Sequence, residues 1–386
     1  MKMNHARKRA FRCVLIATVV FLAPQLSAQG IPSKVSDQEF WRLISEFSEP
    51  GGFFRSENFV GNETSLQEPI PELMKRIRPG GVYIGVAPDQ NFTFLVALRP
   101  KLAFIIDIRR QNLIQHLVYK ANIELSPTRA DFLSRLFSRA RPAGIGANAP
   151  IDSLLAAFYG TPPSTALFRQ NLSAIKTHLT KTHGFALTDQ DTVILAHVFE
   201  SFFRAGPDIT YNYPSSSGGG GRGGGGGIGG MPTYASMVAE SDLQGARRSY
   251  LANEQLYGVL RTMQLNNLII PLVGDFAGTK TLRTVGQFVR DKGATITTFY
   301  TSNVEQYLFQ TPDDWSRFYS NMSTWPLDST GTLIRSAPSN NARTAGVTGW
   351  PGARSTMLIS YMRDIVNSFR LGRVLTYTDV LALSRQ

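Results

Sequence analysis

The 386 residues are 42% hydrophobic and 18% charged, with 34 glycines, one cysteine and a formal net charge of +12. This composition excludes a disordered tail, a disulfide scaffold and a polytopic membrane protein, because apolar content is ordinary and no long apolar run follows the first segment. The length accommodates two or three domains, or one large α/β domain carrying insertions.

The first predicted element is a leader. Lys2, Arg7, Lys8, Arg9 and Arg12 precede the apolar stretch Cys13 to Pro24 and the small-residue end Leu26-Ser27-Ala28, the order of a signal peptide occupying residues 1–28. A run of about 12 apolar residues is short for a spanning helix, which needs about 20, so a signal anchor is the alternative. The predicted location is exported, either periplasmic or anchored at the outer face of the inner membrane, with membrane contact only through this segment if it is uncleaved. Removing the leader takes the net charge to +7 and leaves no cysteine, which excludes disulfides and thiolate chemistry. The remaining arginines are scattered, and with export this argues against a nucleic-acid partner.

A helical segment is predicted over 29–79 and an α/β domain over 80–386. Val82 to Val86 reads as a strand, Phe92 to Leu98 as a helix, and Leu102 to Ile108 as a strand covered on both faces. Asn112 to Arg139 reads as one or two amphipathic helices, with Ser126-Pro127 as a cap followed by proline at the first helical position. A helical insertion is predicted over about 140–214, broken at Gly160 to Pro163 and at Thr182 to Gly184. Residues 215–230, which hold 11 of the glycines, read as a flexible surface loop, since a phosphate-cradling loop lacks a feeding strand and a following Lys-Ser/Thr. Beyond it come a helix over Asp242 to Met263, a strand over Leu268 to Val273, a helix over Thr279 to Lys292 and a strand over Ala294 to Tyr300. A strand near Thr332 to Arg335 and a helix from Thr356 to Phe369 complete the pattern. Two strand-helix-strand units separated by helical material predict an open, mostly parallel, doubly wound sheet of the Rossmann type with a helical insertion.

In such a sheet ligands bind beyond the carboxyl ends of the strands. The first strand ends in Gly85-Val86-Ala87-Pro88-Asp89-Gln90-Asn91, where Gly85 permits a tight turn close to a ligand and Asn91 is placed to cap the next helix. The second ends in Asp107, 22 residues on, where an acidic side chain holds a ribose diol. The alternative is a structural turn with Asp107 paired to Arg109 or Arg110. A full G-x-G-x-x-G is absent: Ala87 stands where a second glycine belongs, and Asp89 repels a pyrophosphate. That disfavours a dinucleotide or ATP and suits a ligand with no phosphates and a cationic centre, the description of S-adenosylmethionine. Asp275 and Glu305 fall at the third and fourth strand ends, as a general base or substrate-orienting carboxylate, with Asn303 to hold a polar group. Their structural alternatives are helix capping for Asp275 and an arginine partner for Glu305.

The strings GVYIGVAPDQNFTFLVALRPKLAFIIDIRR, HLVYKANIELSPTRADFLSRLFSR, IIPLVGDFAGTKTLRTVG and FYTSNVEQYLF resemble the signature blocks of an uncharacterised bacterial family of exported proteins, whose fold is similar to class I S-adenosylmethionine-dependent methyltransferases. The resemblance implies that Gly85 to Asn91, Asp107 to Arg110, Gly274 to Phe276 and Ser302 to Glu305 line one cleft. It also implies a bound S-adenosylmethionine, with Gly85, Asp89, Asn91, Asp107 and Arg109 on the cofactor and Asp275, Glu305 and Asn303 toward the acceptor.

No metal site is predicted. His178 and His183 are five apart, not at the i, i+4 zinc spacing, and read as exposed helix-end residues. His116, on a helix just after Asp107, is the one histidine placed to act as acid or base, and Trp325 and Trp350 read as core or stacking residues. Two functions remain in view: a methyltransferase-like enzyme, or a non-catalytic envelope protein using the same cleft for a small polar ligand or a partner.

Overall fold

A computed structural model of the chain describes residues 30–213, 231–347 and 355–384. The leader, the glycine tract and Trp350 lie outside the described residues. Among the described residues, no helix is long and apolar enough to cross a membrane.

Two short helices, α1 (Asp37–Phe47) and α2 (Ile70–Arg76), precede the first unit β1 (Val82–Gly85), α3 (Gln90–Leu98) and β2 (Leu102–Asp107). There follow α4 (Arg110–Glu124), α5 (Arg129–Phe137), α6 (Ile151–Tyr159), α7 (Thr165–Thr177) with a π-helical turn His178–Thr182, and α8 (Asp189–Ala205). After α9 (Tyr234–Ala239) and α10 (Glu254–Leu265) the second unit is β3 (Ile269–Val273), α11 (Thr281–Asp291) and β4 (Ile296–Ser302). The chain then forms α12 (Val304–Leu308), α13 (Asp314–Met322), β5 (Leu327–Pro338), α14 (Ser339–Thr344), β6 (Ser355–Tyr361), α15 (Met362–Arg370) and α16 (Tyr377–Ala382).

The six strands make one sheet in the order β3-β2-β1-β4-β5-β6. All neighbours are parallel except β6, which runs antiparallel to β5. Every residue of β1, β2, β3 and β4 is buried. Since successive side chains leave a strand on opposite faces, both faces of the sheet are covered, which is why these strands read as unbroken apolar runs. The molecule is thus α/β with a mostly parallel sheet, and the strand order reverses between β1 and β4.

Three predicted elements are corrected. The cap of α5 is Thr128, whose extended backbone aims its hydroxyl at Asp131 N (3.2 Å), not the Ser126-Pro127 pair. The predicted helix over Asp242 to Met263 begins only at Glu254, capped by Asn253. Before it, the Asp242 carboxylate accepts from the backbone of Gln244 and Ala246 at 2.9 and 2.8 Å, a local turn that competes with helix formation. Residues Thr356 to Ser360 are strand, not helix: all five are buried against β5, and a short apolar run does not distinguish the two by periodicity. Trp325 is a core residue, packed edge-on against Phe299 with its indole N–H donating to Leu282 O at 2.9 Å.

Candidate functional site

A cavity of about 340 Å³ opens over the carboxyl ends of four parallel strands. Its floor is Val86 and Ala87 after β1, Asp107 to Arg109 after β2, Gly274 to Phe276 after β3, and Ser302 and Asn303 after β4. The segment before α2 supplies the roof through Phe53, Phe54 and Asn58. Volume and position both suit a small-molecule site at a topological switch point.

The roof is tied down by main-chain and side-chain bonds. Glu49 N donates to Val273 O at 3.1 Å and Gly52 N to Ile108 O at 2.8 Å, while Asp275 N donates to Glu49 Oε1 at 2.6 Å. Arg109 does the rest. Its Nε and Nη2 each donate at 3.1 Å to the two oxygens of Asp107, and its Nη1 donates to the carbonyls of Ser56 (2.9 Å) and Glu57 (2.7 Å). Asp107 Oδ1 also accepts from Arg109 N at 2.9 Å. A carboxylate offers about four acceptor positions. Three are filled here, so Asp107, a lining residue, retains one and not the pair a diol requires.

The turn after β1 is corrected in its reasons. A Cβ on Gly85 would stand 1.9 Å from Asn91 Oδ1 and 2.7 Å from Tyr83, so the glycine makes room for protein side chains and not for a ligand. Gly274 is likewise filled by Thr281, 2.6 Å from its would-be Cβ. Asn91 does not cap α3. Its amide donates to the carbonyls of Val86, Ala87 and Pro88 at 2.8, 3.0 and 2.8 Å, and its oxygen accepts from Tyr83 Oη at 2.8 Å. The loop is therefore pinned from beneath, with Ala87 held at φ +70°, a left-handed conformation that glycine adopts without strain.

Asp89 faces away from the cavity, buried against Tyr250, whose hydroxyl donates to Oδ2 at 3.3 Å. Burial pushes its carboxyl up to about 7. His116 lies under the same loop, its Nε2 3.0 Å from Ala87 O, and burial pushes its imidazole down to about 4. It is a neutral support of the turn outside the cavity lining.

At the other strand ends the predicted residues separate. Asp275 and Asn303 line the cavity, and Asp275 Oδ1 also accepts from Ala277 N at 2.9 Å, closing the turn before α11. Glu305 does not line it. It is buried in a two-bond pair with Arg335 (2.7 and 3.2 Å) and accepts from Tyr319 Oη at 2.6 Å, so its charge is neutralised within the core. Of the eight predicted site residues, Asp107, Arg109, Asp275 and Asn303 share the cavity, and Gly85, Asp89, Asn91 and Glu305 stand outside its lining.

Other cavity residues carry no signal in the sequence. Asn58 and Gln90 are buried in the wall, and Asn58 Oδ1 and Gln90 Oε1 accept no hydrogen bond. Behind Gln90, Glu63 is buried and accepts from Tyr300 and Ser302 hydroxyls. Burial raises its carboxyl above the usual range, partly offset by these bonds. Asn62, Tyr211, Tyr307, Thr311 and Asp314 are further polar residues of the lining. Asn58, Asn62 and Glu63 come from irregular backbone, and only the path of that segment across the sheet brings them here.

The histidines His178 and His183, expected to be exposed, are only 17% and 11% exposed at their side chains and meet at Glu124.

Fold and cavity together define an α/β protein with a ligand-sized cleft at the carboxyl edge of a mostly parallel sheet. Residues 59–156 and 229–369 match the domain of unknown function DUF7790, and the chain belongs to that family. No curated protein matches the chain.

Proposed function

We propose that the cleft binds a nucleoside-type ligand that lacks phosphates and carries a cationic centre, the class of S-adenosylmethionine, and that the sheet is Rossmann-like in the methyltransferase sense. The observation that carries this reading is the charge of the lining. Of the three carboxylates in the lining, Asp107 is paired with Arg109, whose guanidinium is also committed to two carbonyls, and Asp314 with Arg317, so that Asp275 is the one without a cation partner among the described residues. A phosphate would meet net negative charge there, whereas a sulfonium would be stabilised by it. The strand order β3-β2-β1-β4-β5-β6 is the numerical order of nucleotide-binding sheets, with the last strand reversed.

The residues present fit the group. Asp107 keeps one acceptor position for a ribose hydroxyl, Asn58 Oδ1 and Gln90 Oε1 are buried acceptors awaiting donors, and Phe54 with Tyr307 offers an aromatic edge for a base. S-adenosylmethionine supplies an electrophilic methyl group when bound. Asp275 then faces the acceptor as a proton-accepting or orienting carboxylate, and Asn303 holds a polar group beside it.

A second reading, non-catalytic ligand binding by an exported envelope protein, is favoured by Glu305. That carboxylate is spent on Arg335, which leaves Asp275 as the lone remaining candidate base among the predicted catalytic residues. The basic and apolar leader supports export, a compartment poor in S-adenosylmethionine.

Thermal unfolding of the chain with S-adenosylmethionine, S-adenosylhomocysteine, adenosine and ATP tests the proposal. Stabilisation by about 2.7 kcal/mol is expected at 100 times the dissociation constant for the first two ligands. Absence of any shift, or a larger one with ATP, sinks the cationic-nucleoside reading. Binding without methyl transfer to any cell-envelope extract selects the second reading.

A further inference from the structure

The C-terminal end of α4 and the π-turn after α7 converge on a cluster unrelated to the cleft. Arg110 at one end of α4 adjoins the cleft and Glu124 stands at the other, about 20 Å away at 1.5 Å per residue. Glu124 Oε2 lies 2.7 Å from His178 Nε2 and 2.7 Å from His183 Nε2, and the two nitrogens are 3.3 Å apart.

Local backbone explains why two histidines five apart meet. On an α-helix that spacing separates side chains by about 140° around the axis. Here His178–Thr182 is π-helical, with His183 N donating to His178 O at 3.0 Å. The wider turn absorbs one residue and stacks both rings on one side, nearly perpendicular with centroids 4.7 Å apart. Such π-turns recur at functional sites.

The surroundings are those of a metal centre. The three ligand atoms lie within 4.8 Å of one another. His183 Nδ1 is 2.7 Å from Asp37 Oδ1, which is itself held by Asn267 Nδ2 at 2.8 Å. A carboxylate on the distal nitrogen is what fixes the tautomer of a ligating histidine. Lys120 Nζ donates to Glu124 Oε1 at 2.6 Å, leaving Oε2 to the histidines. Two imidazole nitrogens at bond lengths near 2.0–2.1 Å from a tetrahedral ion stand about 3.3–3.4 Å apart, matching the separation seen. Without an ion, both Nε2 atoms face the same carboxylate oxygen and each other, and one oxygen has to serve the whole cluster.

We propose that Glu124, His178 and His183 bind a divalent first-row transition ion, with zinc the best chemical match to two imidazoles and one carboxylate and with water completing the tetrahedron. The carboxylate oxygen withdraws by roughly half an ångström on loading to reach tetrahedral separations. The ion joins segments distant in sequence. Glu124 falls within the family-matched residues and both histidines within the unmatched stretch 157–228, while Asp37 belongs to α1. The site therefore clips the inserted helices to the sheet domain and acts independently of the cleft.

The test uses the untagged full chain, stripped with a chelator and titrated with Zn²⁺ against a chromophoric competitor. One tightly held zinc per chain is expected, with the thermal midpoint raised by about 4 °C, and Co²⁺ should give the visible bands of a four-coordinate ion with nitrogen and oxygen ligands. His178→Ala and His183→Ala should each lose the tight site, whereas His197→Ala, at an exposed histidine, should keep it. A wild-type chain that takes up no zinc, or equal uptake by the His178→Ala and His183→Ala variants, overturns the proposal. Absence of zinc uptake by the wild type overturns the proposal even where a variant fails to fold.

Discussion

Arg109 fills one acceptor position on Asp107 Oδ2 and, through its side chain and its own backbone N–H, two on Oδ1, while the same guanidinium holds the roof by the carbonyls of Ser56 and Glu57. Both side chains are more than nine-tenths buried. Arg109→Ala leaves a buried carboxylate without its partner and frees the roof, so a loss of about 3–5 kcal/mol is expected in urea unfolding. Limited proteolysis of the variant should cut between residues 49 and 58 where the wild type resists. Equal resistance would remove the roof-clasp role from Arg109.

Ala87 is the one residue of the β1 turn held in the left-handed region, at φ +70°. Ala87→Gly relieves a cost of about 1–2 kcal/mol and loosens the unfolded chain, for a net stabilisation of about 0.5–1 kcal/mol. A higher thermal midpoint is the expected result, and Ala87→Val should lower it.

Glu305 and Arg335 should behave as a structural unit. Arg335→Met alone strands a buried carboxylate and is expected to cost about 3–5 kcal/mol, while adding Glu305→Gln should recover much of the loss. Ligand binding in the cleft should survive the double substitution. A cleft that loses its ligand in the folded double variant would restore Glu305 to the site.

The pH dependence of stability should carry the mark of Asp89. Its folded carboxyl titrates at about 7, against 3.8 for the free group, so the native chain retains a proton that the unfolded chain releases. This contribution is complete below about pH 4 and is lost as pH rises through 7, reaching at most about 4 kcal/mol at about 1.4 kcal/mol per unit. His116, depressed to about 4, acts with the opposite sign as pH falls below about 6.5. Comparison with Asp89→Asn isolates the first effect: the stability of the variant relative to wild type should rise between about pH 4 and pH 7 and level off above it.

The parallel strands were legible because burial on both faces leaves an unbroken apolar run, and the strand ends then pointed to Asp107, Asp275 and Asn303. What side chains do at those ends depends on neighbours that spacing does not reveal. Asp107 and Glu305 each had an arginine alternative, and the structure realises both, with Arg109 and Arg335. Gly85 looked like an opening for a ligand, yet Asn91 and Tyr83 fill the space beside it. The histidine pair was hidden for a backbone reason: an α-helical reading of five residues turns them apart, and the π-turn that brings them together has no signature in residue type. The roof segment has no periodicity at all, so Asn58 and Glu63 could be found only from coordinates.

Arg109 and Arg110 are neighbours in sequence that reach in different directions. The first grips the roof before α2, and the second grips Asp191 at the start of α8 with bonds of 2.6 and 2.8 Å. Two stretches of chain more than 130 residues apart thus hang from a single dipeptide at the carboxyl end of β2. That dipeptide is a shared anchor for the inserted helices and the cover of the cleft.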